Sequence, residues 1–398
     1  VAGVNAGNSI VSGGNYNTLV GDEAGTAITT GRENNASGAS ALAANTTGIR
    51  NTASGFAALT DNTTGSYNTA SGYRSLESNT TSSQNTAYGV WSMSAATGAN
   101  NTAIGMYALS NTTGNNNTAA GLSALEANTT GNSNAAFGYF SLQANTTGFE
   151  NSAFGFSALD ANTTGDNNTA IGRLALTSNT TAGSNTAVGV AAMQSSTTGE
   201  KNTAVGAGGA GNALTTGSNN TFIGYQAGRT FTTGAGNVCI GYQSGGSSTT
   251  DSNQLWIARS SGAVNSAGVW VYGDASGRCY QGNNSSSWST TSDERIKKDI
   301  VDSPNGLAKI DAMQVRNFNY KTQEEITEGG FTACDSEGLQ TGVIAQELES
   351  VLPECIVESD DGMKRVNIDP IFWSMVKAIQ ELSTQNAALE ARLTALEE

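Results

Sequence analysis

The sequence NTASGFAALTDNTTGSY, residues 51–67, is followed without a break by NTASGYRSLESNTTSSQ, residues 68–84. Both segments begin with Asn-Thr-Ala-x-Gly, carry Leu at the ninth position and place Asn-Thr-Thr at the twelfth. A unit that recurs at a fixed short length indicates a stacked repeat architecture, because one such unit cannot bury its own apolar side chains.

The same pattern, with substitutions, extends over most of the first 241 residues. We call the first Asn of each copy the anchor Asn; ten of the thirteen intervals between anchors are 17 residues, and the others are 16 or 18. A Gly stands four residues after every anchor, from Gly21 to Gly241. The anchors are Asn17, Asn34, Asn51, Asn68, Asn85, Asn101, Asn117, Asn134, Asn151, Asn168, Asn185, Asn202, Asn220 and Asn237.

Two further positions of the repeat are regular. The ninth position holds a large apolar residue in ten copies: Leu42, Leu59, Leu76, Met93, Leu109, Leu125, Leu142, Leu159, Leu176 and Met193. A second signature, Asn-Thr-Thr-Gly, begins at Asn45, Asn62, Asn111, Asn128, Asn145 and Asn162. Since Gly and Asn accept left-handed backbone at low energy, each copy is predicted to contain two short strands and two turns.

Stacking the copies places Ala on Ala and Leu on Leu in one narrow core. At ~4.8 Å per rung, fourteen rungs would form a rod of roughly 65 Å, and stacked Asn side chains can bond to one another along it. We therefore expect residues 1–250 to form a β-solenoid shaft.

Other interpretations of the repeats are weaker. Disorder would suit the 49 Gly and the 13% of charged residues, but it does not require an apolar residue at a fixed position. Rows of Thr on a flat solenoid face can bind ice, yet the Thr-Thr pair here alternates between faces. The many Asn-x-Thr sequons would be glycosylated in a eukaryotic secretory protein, so their density indicates a chain that never meets that machinery.

The composition excludes several function classes. The chain has no His, which excludes His-ligated metal sites and Ser-His or Cys-His catalysis. A net charge of −15 argues against nucleic-acid binding, and the lack of an apolar run of 18 residues argues against membrane insertion. We therefore expect no metal and no cofactor.

The cysteines and the first residue give two minor expectations. Cys239, Cys279, Cys334 and Cys355 lack metal-ligand spacing, which favours free or buried thiols of a chain folded in a reducing cytoplasm. The chain begins at Val1 without Met, so we expect an upstream part that is missing from this sequence.

The composition changes near residue 250. Residues 1–250 carry 16 charged side chains and 38 Gly, whereas residues 251–398 carry 35 and 11. Residues 251–291 contain two strand-like runs, 254–258 and 269–272, and are predicted to form a small β domain. The aromatic residues of this segment are Trp256, Trp270, Tyr280 and Trp288. Aromatic side chains in strands are usually core or interface residues, and the alternative is that they stack on sugars.

Two motifs in the last part carry a resemblance to a known family. Residues 292–297 read Ser-Asp-Glu-Arg-Ile-Lys, and residues 342–347 read Gly-Val-Ile-Ala-Gln-Glu. Over about residues 289–398, the sequence resembles the intramolecular chaperone domain of phage tail fibres and endosialidase-type tailspikes, a self-cleaving serine peptidase family. The resemblance implies that Ser292 is the nucleophile, that Lys297 assists it, and that the bond Thr291-Ser292 is cut once by the chain itself.

The residues alone leave two interpretations of this motif open. A neutral Lys, with its pKa lowered by burial, can accept the Ser proton in a chain without His. Alternatively, Ser292 and Asp293 cap a helix that begins near Glu294. On one continuous helix Ser292 and Lys297 would point about 140° apart, so either Ser292 lies outside the helix or Lys297 acts on a neighbouring chain.

The C-terminal residues show heptad spacing. Steps of four and three alternate through an apolar series in which Asn386 fills the single polar position: Met375, Ile379, Leu382, Leu389, Leu393 and Leu396. This spacing predicts a coiled coil, and an Asn at an a position fixes register. The alternative is one amphipathic helix packed on its own domain.

The predicted fold is mainly β: a trimeric β-solenoid of 17-residue repeats at 1–250, the small β domain at 251–291, an α+β chaperone domain at 292–374 and a coiled coil at 375–398. The repeats also resemble the heads of trimeric autotransporter adhesins in style, which favours a trimer. A C-terminal trimer that forms first would hold three nearly identical repeat chains in step.

These features together predict a phage tail fibre or spike that attaches to a host surface, assembles in the host cytoplasm and resides in the virion. Its partners would be two further copies of itself, a host glycan or protein receptor, and other tail proteins bound through the missing N-terminal part. A non-viral surface adhesin using the same chaperone is the alternative. A polysaccharide-degrading tailspike would need paired carboxylates, whereas the acidic residues of the repeats are scattered singly.

Overall fold

The computed structural model of the protein describes residues 2–246, 248–259, 269–273, 279–281, 298–304, 306–326, 338–358 and 364–397, and the structural statements below refer to these residues. The chain divides into two compact units, residues 1–288 and residues 289–398. The four-part division drawn from composition stays a prediction.

The first unit is a parallel β-solenoid of about fourteen turns, as predicted from the repeats. Each turn contributes one three-residue strand, and every strand pairs in register with the next, so that Ala53 lies opposite Ala70. The strands β1–β14 are Thr18–Val20, Asn35–Ser37, Thr52–Ser54, Thr69–Ser71, Thr86–Tyr88, Thr102–Ile104, Thr118–Ala120, Ala135–Phe137, Ser152–Phe154, Thr169–Ile171, Thr186–Val188, Thr203–Val205, Thr221–Ile223 and Val238–Ile240.

The sheet continues beyond the last anchor. Strand β15, Leu255–Ala258, pairs in parallel with β14, and the antiparallel strands β16, Val269–Gly273, and β17, Cys279–Gln281, follow it. Trp256 is buried and its ring lies 4.6 Å from that of Tyr272, whereas Trp270 is exposed. Trp256 is therefore a core residue.

The prediction of two strands per repeat is wrong, because the second half of each described turn is not extended. In the rung 51–67, Ala57 and Leu59 have φ values of 54° and 53°, in the left-handed region. The backbone still bonds to the next rung, since the Leu59 amide donates to the Ser75 carbonyl oxygen at 3.0 Å. Axial hydrogen bonds are thus kept without a second strand.

This backbone explains the choice of apolar residue at the ninth position. Among the described residues, none of the non-Gly residues with positive φ is Val, Ile or Thr. A β-branched side chain is strained in the left-handed region, whereas Leu and Met have an unbranched Cβ. Where this position holds a large apolar side chain, that side chain is therefore one without branching at Cβ.

Several columns of buried side chains run along the axis and form the core, including small residues at the eighth position such as Ala158. The third residue of each rung, usually Ala, and the ninth residue are fully buried, as in Ala153 and Leu159. Where the ninth residue is Gly228, the rings of Phe222 and Phe231 supply the volume, and a Cβ on Gly228 would lie 2.3 Å from the Phe222 ring. The predicted stacking of Ala on Ala and Leu on Leu is confirmed. Where a small residue replaces the large one at the ninth position, larger side chains at other buried positions fill the space.

The anchor Asn side chains bond consecutive rungs together. The amide N–H of Asn68 donates to Oδ1 of Asn51 at 3.0 Å, and Nδ2 of Asn51 donates to the carbonyl oxygen of Gly65 at 2.8 Å. The first bond joins two rungs, and the second joins the beginning of a rung to its end. From Asn34 to Asn237 the anchors are buried and make this pair of bonds.

A second column of Asn lies at the twelfth position. Nδ2 of Asn145 donates to Oδ1 of Asn128 at 2.8 Å and to the carbonyl oxygen of Gly148 at 2.9 Å. Asn111 does not belong to this column, although its motif is the same. Its rung has 16 residues, so Thr112 occupies the buried position and Asn111 is exposed.

The second unit combines short helices with two small antiparallel sheets. Its elements are α1, Gly306–Ala312; β18, Arg316–Phe318; a 3-10 turn, Gln323–Glu325; β19, Gln340–Gly342; α2, Ala345–Glu349; a 3-10 turn, Pro353–Cys355; β20, Ile356–Glu358; β21, Lys364–Val366; and α3, Asp369–Glu397. Strand β18 pairs with β19 and β20 pairs with β21. Within the described ranges, no helix is long and apolar enough to cross a membrane.

We predict that Leu142→Ile destabilises the shaft by about 1–3 kcal/mol, because Leu142 is buried with φ 51° and a β-branched residue is strained there. Leu142→Met should change stability by less than about 1.5 kcal/mol, since Met93 and Met193 occupy the same position in other rungs. Urea unfolding followed by circular dichroism compares the two; equal loss in both variants would contradict this account of the position.

Candidate functional site

The C-terminal helix α3 meets its own unit along one face. Ser374 and Ala378 are buried there, and α1 packs across them. A Cβ added to Gly306 would lie 2.6 Å from the backbone nitrogen of Ala378, so the close approach of α1 requires Gly at this position. The glycine therefore allows α1 to rest directly on the backbone of α3.

A carboxylate on α3 caps the first residues of α1. The two carboxylate oxygens of Glu381 accept hydrogen bonds from the backbone amides of Gly306, at 3.1 Å, and Leu307, at 2.8 Å. The first amides of a helix have no partner inside that helix and carry partial positive charge, so a carboxylate stabilises them. Glu381 thus orients α1 as well as holding it.

Ion pairs join the remaining elements of the unit. The guanidinium of Arg316 donates two hydrogen bonds, at 2.9 and 3.0 Å, to the carboxylate of Glu347 on α2 and thereby lowers the pKa of that carboxyl. Lys309 on α1 bonds Glu354 at 2.9 Å and lowers its pKa in the same way. These pairs are largely exposed, so they fix orientation more than they add stability.

The second family-like motif has a structural role in the described part of the chain. Its residues 342–347 end β19 and begin α2, where the amide of Leu348 donates to the carbonyl oxygen of Ile344 at 2.9 Å. Leu348 then packs with Leu352 and Cys355 in the small core of the unit. The motif therefore builds the core against which the start of α3, at Ile371, also packs.

The predicted heptad series lies on an exposed face of α3. Its apolar residues from Met375 to Leu396 are between 44% and 84% exposed. In the sequence the same spacing extends two steps upstream, through Phe372 at 56% exposure and Ile368, the residue immediately before α3, at 71%. We call this complete series the seam: Ile368, Phe372, Met375, Ile379, Leu382, Asn386, Leu389, Leu393 and Leu396.

The seam and the face of α3 that packs on the unit are different sides of the helix. The packed residues Ile371, Ser374, Ala378 and Glu381 each precede a seam residue by one position. One residue corresponds to a rotation of about 100° around a helix. The alternative of a helix packed on its own domain therefore holds for the first half of α3, but through a face other than the heptad residues.

The last half of α3 does not pack on any other described part of the chain. Residues 382–397 are exposed without exception, over 16 consecutive helical residues. A helix of that length in water is marginal unless one of its faces is buried. The apolar seam is the face that a partner would have to cover.

The predicted catalytic residues Ser292 and Lys297, and the bond Thr291-Ser292, lie outside the described residues. The next residues, 298–301, are exposed. Cys239, Cys279 and Cys355 are free thiols, and burial raises the pKa of Cys239 to about 12; Cys334 is not among the described residues. In the described segments no group of His, Cys, Asp or Glu is placed to hold a metal ion.

A family model described as chaperone of endosialidase matches residues 292–357. The match begins at the predicted nucleophile, includes both quoted motifs and ends before α3. It confirms the resemblance drawn from those motifs. No solved structure matches the chain.

We predict that Glu381→Ala loosens α1, because two backbone amides at its N-terminus lose their hydrogen-bond acceptor. The loss should lower the free energy of local unfolding of α1 by about 1–2 kcal/mol. Hydrogen exchange of residues 306–312 should become faster by roughly five- to thirty-fold, which corresponds to that range. The control is Glu390→Ala, an exposed carboxylate on the same helix that caps no helix in the described residues. Unchanged exchange in Glu381→Ala would show that the cap does not hold α1.

Proposed function

We propose that the second unit joins copies of this chain through the seam and that the solenoid is the shaft of a trimeric, tail-fibre-like attachment protein. The observation that carries this proposal is the exposed seam of α3 together with the 16 unpacked residues at its end. The match of residues 292–357 to the chaperone of endosialidase family supports it, since that description names an assembly function.

The packing of the second unit suits such an assembly role. Glu381 and Gly306 fasten α1 to α3 within one chain, while the seam residues, such as Ile379 and Leu382, remain available to other chains. A unit built in this way can fold first and associate afterwards. The number of chains is proposed as three from the resemblance to trimeric fibres; Asn386, at an a position, would fix their register.

Assembly assistance is needed because the shaft is repetitive. Every rung has the same strand and the same in-register pairing as the next, so a shift of one chain along another by a whole rung again brings equivalent positions of the repeat together. Such a shift is penalised weakly by the repeats themselves. A single non-repeated junction at the C-terminus would set one register for the entire shaft.

The proposal includes one self-cleavage at Thr291-Ser292. In it, the neutral amine of Lys297 takes the proton of the Ser292 hydroxyl, whose oxygen attacks the carbonyl carbon of Thr291. The bond from that carbon to the Ser292 nitrogen breaks as the nitrogen takes up the proton from Lys297, which leaves an ester between Thr291 and the Ser292 side chain. Water then hydrolyses the ester, so that one fragment ends in the Thr291 carboxylate and the other begins with the Ser292 amine. Cleavage after assembly would remove the chaperone and leave the shaft kinetically trapped in its assembled form.

The mature shaft would bind a host-surface receptor, a glycan or a protein, as part of a virion. This part of the proposal draws on the occurrence of the resembling family in phage tail fibres. A glycan array and whole-cell binding measurements with the purified chain test it. Absence of binding to any host-cell surface or surface polymer would contradict the attachment role.

We predict that Leu389→Asp prevents association, because it introduces three charges into the middle of a trimeric seam. Ala391→Asp introduces the same charge on the outer face of the helix, five positions after Asn386, and should leave the oligomer intact. Light scattering coupled to gel filtration gives the mass of each species. A monomeric wild-type chain, or equal masses for both variants, would rule out the seam as the joining surface.

We predict that wild type releases a fragment beginning at Ser292, whereas Ser292→Ala stays intact. Lys297→Arg should also stay intact, because Arg cannot act as a neutral base, while Lys298→Arg should cleave normally. Intact-mass spectrometry over a time course distinguishes the four chains. An intact wild-type chain after long incubation would remove the cleavage from the proposal and leave the assembly role in place.

A further inference from the structure

We infer that an apolar surface along the solenoid is the contact between the shafts of associated copies, with each rung facing the same rung of another copy. The inference rests on the proposed association of chains and names the surface that the repeats contribute to it.

The main part of this surface is the fourth residue of each rung, which points outward from the strand. We call this series the strand column. From the fifth rung onward it is apolar in every copy: Tyr88, Ile104, Ala120, Phe137, Phe154, Ile171, Val188, Val205, Ile223, Ile240 and Ile257. Its larger members from Tyr88 to Ile240, Val188 apart, are between 38% and 49% exposed.

A second column stands two residues later, on the other side of the glycine that follows each strand. We call it the turn column. It is also mainly apolar and well exposed. Over the same rungs as far as the fourteenth it comprises Val90, Met106, Leu122, Tyr139, Phe156, Arg173, Val190, Ala207, Tyr225 and Tyr242.

The combined area is large for a surface left in water. Fifteen residues of the two columns are at least 38% exposed. At about 60–90 Å² of exposed area for each such side chain, they present roughly 1,000 Å² of apolar surface on one chain. The largest apolar patch of a typical monomeric protein is about 300–600 Å², whereas a stable interface buries about 800 Å² on each partner.

Charged residues avoid the two columns. Residues 85–250 contain eight charged side chains, and seven of them stand nine, fifteen or sixteen positions after an anchor. Arg173 is the exception in the turn column. Because an interface core is depleted in charge, this distribution singles out the strand column as the side to be covered.

The regular spacing of the columns favours a second copy of the chain as the partner. Outward side chains recur at the strand spacing of ~4.8 Å over eleven rungs. Another copy presents the same spacing, so side chains can interdigitate along the whole length. Chains joined in parallel at the C-terminal seam have equal numbers of residues before the junction, so equal rungs would face each other.

A carbohydrate partner fits these rings less well. The rings of Phe137 and Phe154 are parallel within 5° and their centroids are 4.8 Å apart; Tyr139 and Phe156 are parallel within 5° at 5.5 Å. Their faces are therefore turned toward each other along the axis. Stacking on a sugar requires an open ring face, whereas packing against another protein column uses the ring edges as well.

Thiol cross-linking tests the inference. In a full-length chain carrying Cys279→Ser and Cys334→Ser, Ile171→Cys places a thiol in the strand column. The control Thr164→Cys places one at an exposed position outside both columns. The remaining Cys239 and Cys355 are buried. After treatment with a short bismaleimide, most Ile171→Cys chains should be covalently joined. Thr164→Cys chains should be cross-linked no more than chains without an introduced cysteine.

Register is tested by co-expression. Chains with Ile171→Cys and size-tagged chains with Val205→Cys should form joined pairs of equal residues and no mixed pairs, since the two positions are two rungs apart. Frequent mixed pairs would overturn the in-register arrangement.

The outcomes separate this inference from the proposed function. If light scattering shows an oligomer but the thiol at position 171 stays unlinked, the strand column is not the contact and the assembly role survives. If a host glycan slows the reaction of that unlinked thiol with maleimide, the surface is assigned to sugar binding instead. If the chain is monomeric, both the inference and the proposed association fail.

Discussion

The shaft depends on one hydrogen-bonded side chain, the anchor Asn. Its Nδ2 donates to a backbone carbonyl near the end of its own rung, usually that of a glycine, and its Oδ1 accepts the backbone N–H of the next anchor. A buried amide must satisfy its donors and acceptors, and here a single residue type closes each turn and joins it to the next. Changing the number of residues between anchors would leave one of these groups unpaired unless the loop absorbs the difference. The 16-residue rung 101–116 does so by dropping its second Asn from the core and using Thr112.

This hydrogen bonding explains why the rungs stack so regularly and why they do not define a register between chains. Because every anchor makes the same bonds, each rung is placed identically and the outward residues form straight columns. The same uniformity means that the shaft contains little information about register between chains. In the proposed assembly, register would have to come from a segment that occurs once, and in the described residues the seam of α3 has that property. A repetitive shaft and a non-repetitive C-terminal unit are thus complementary requirements.

Much of the fold follows from the sequence alone, and its limits are physical. The anchors, the Ala and Leu columns and the Asn ladder could be predicted, because burial and hydrogen bonding repeat with the sequence period. The single strand per rung could not be predicted in this way, because the residue types at Ala57 and Leu59 do not by themselves indicate left-handed backbone. The available signal was the absence of β-branched residues at such positions. Asn111 was misplaced because its motif is identical to buried copies and only the rung length differs. On α3, the heptad from Met375 was visible, whereas Phe372 and Ile368 became part of the seam only once their exposure was known. Ser292 and Lys297 remain predictions from the motif.

The two halves of α3 have different sources of stability. Ser374, Ala378 and Glu381 use one side of the helix, and they stabilise only its first half. The second half has helical spacing and apolar residues but nothing to pack against within the described chain. Forming it alone fixes the backbone of 16 residues with little compensation, so in the proposed assembly its helical state would be stabilised chiefly by partner chains. Association would then be favoured only where several folded second units meet. Such a junction would join chains after their C-terminal units are complete, and it would place a parallel neighbour beside each solenoid while its outward apolar columns are still exposed to water.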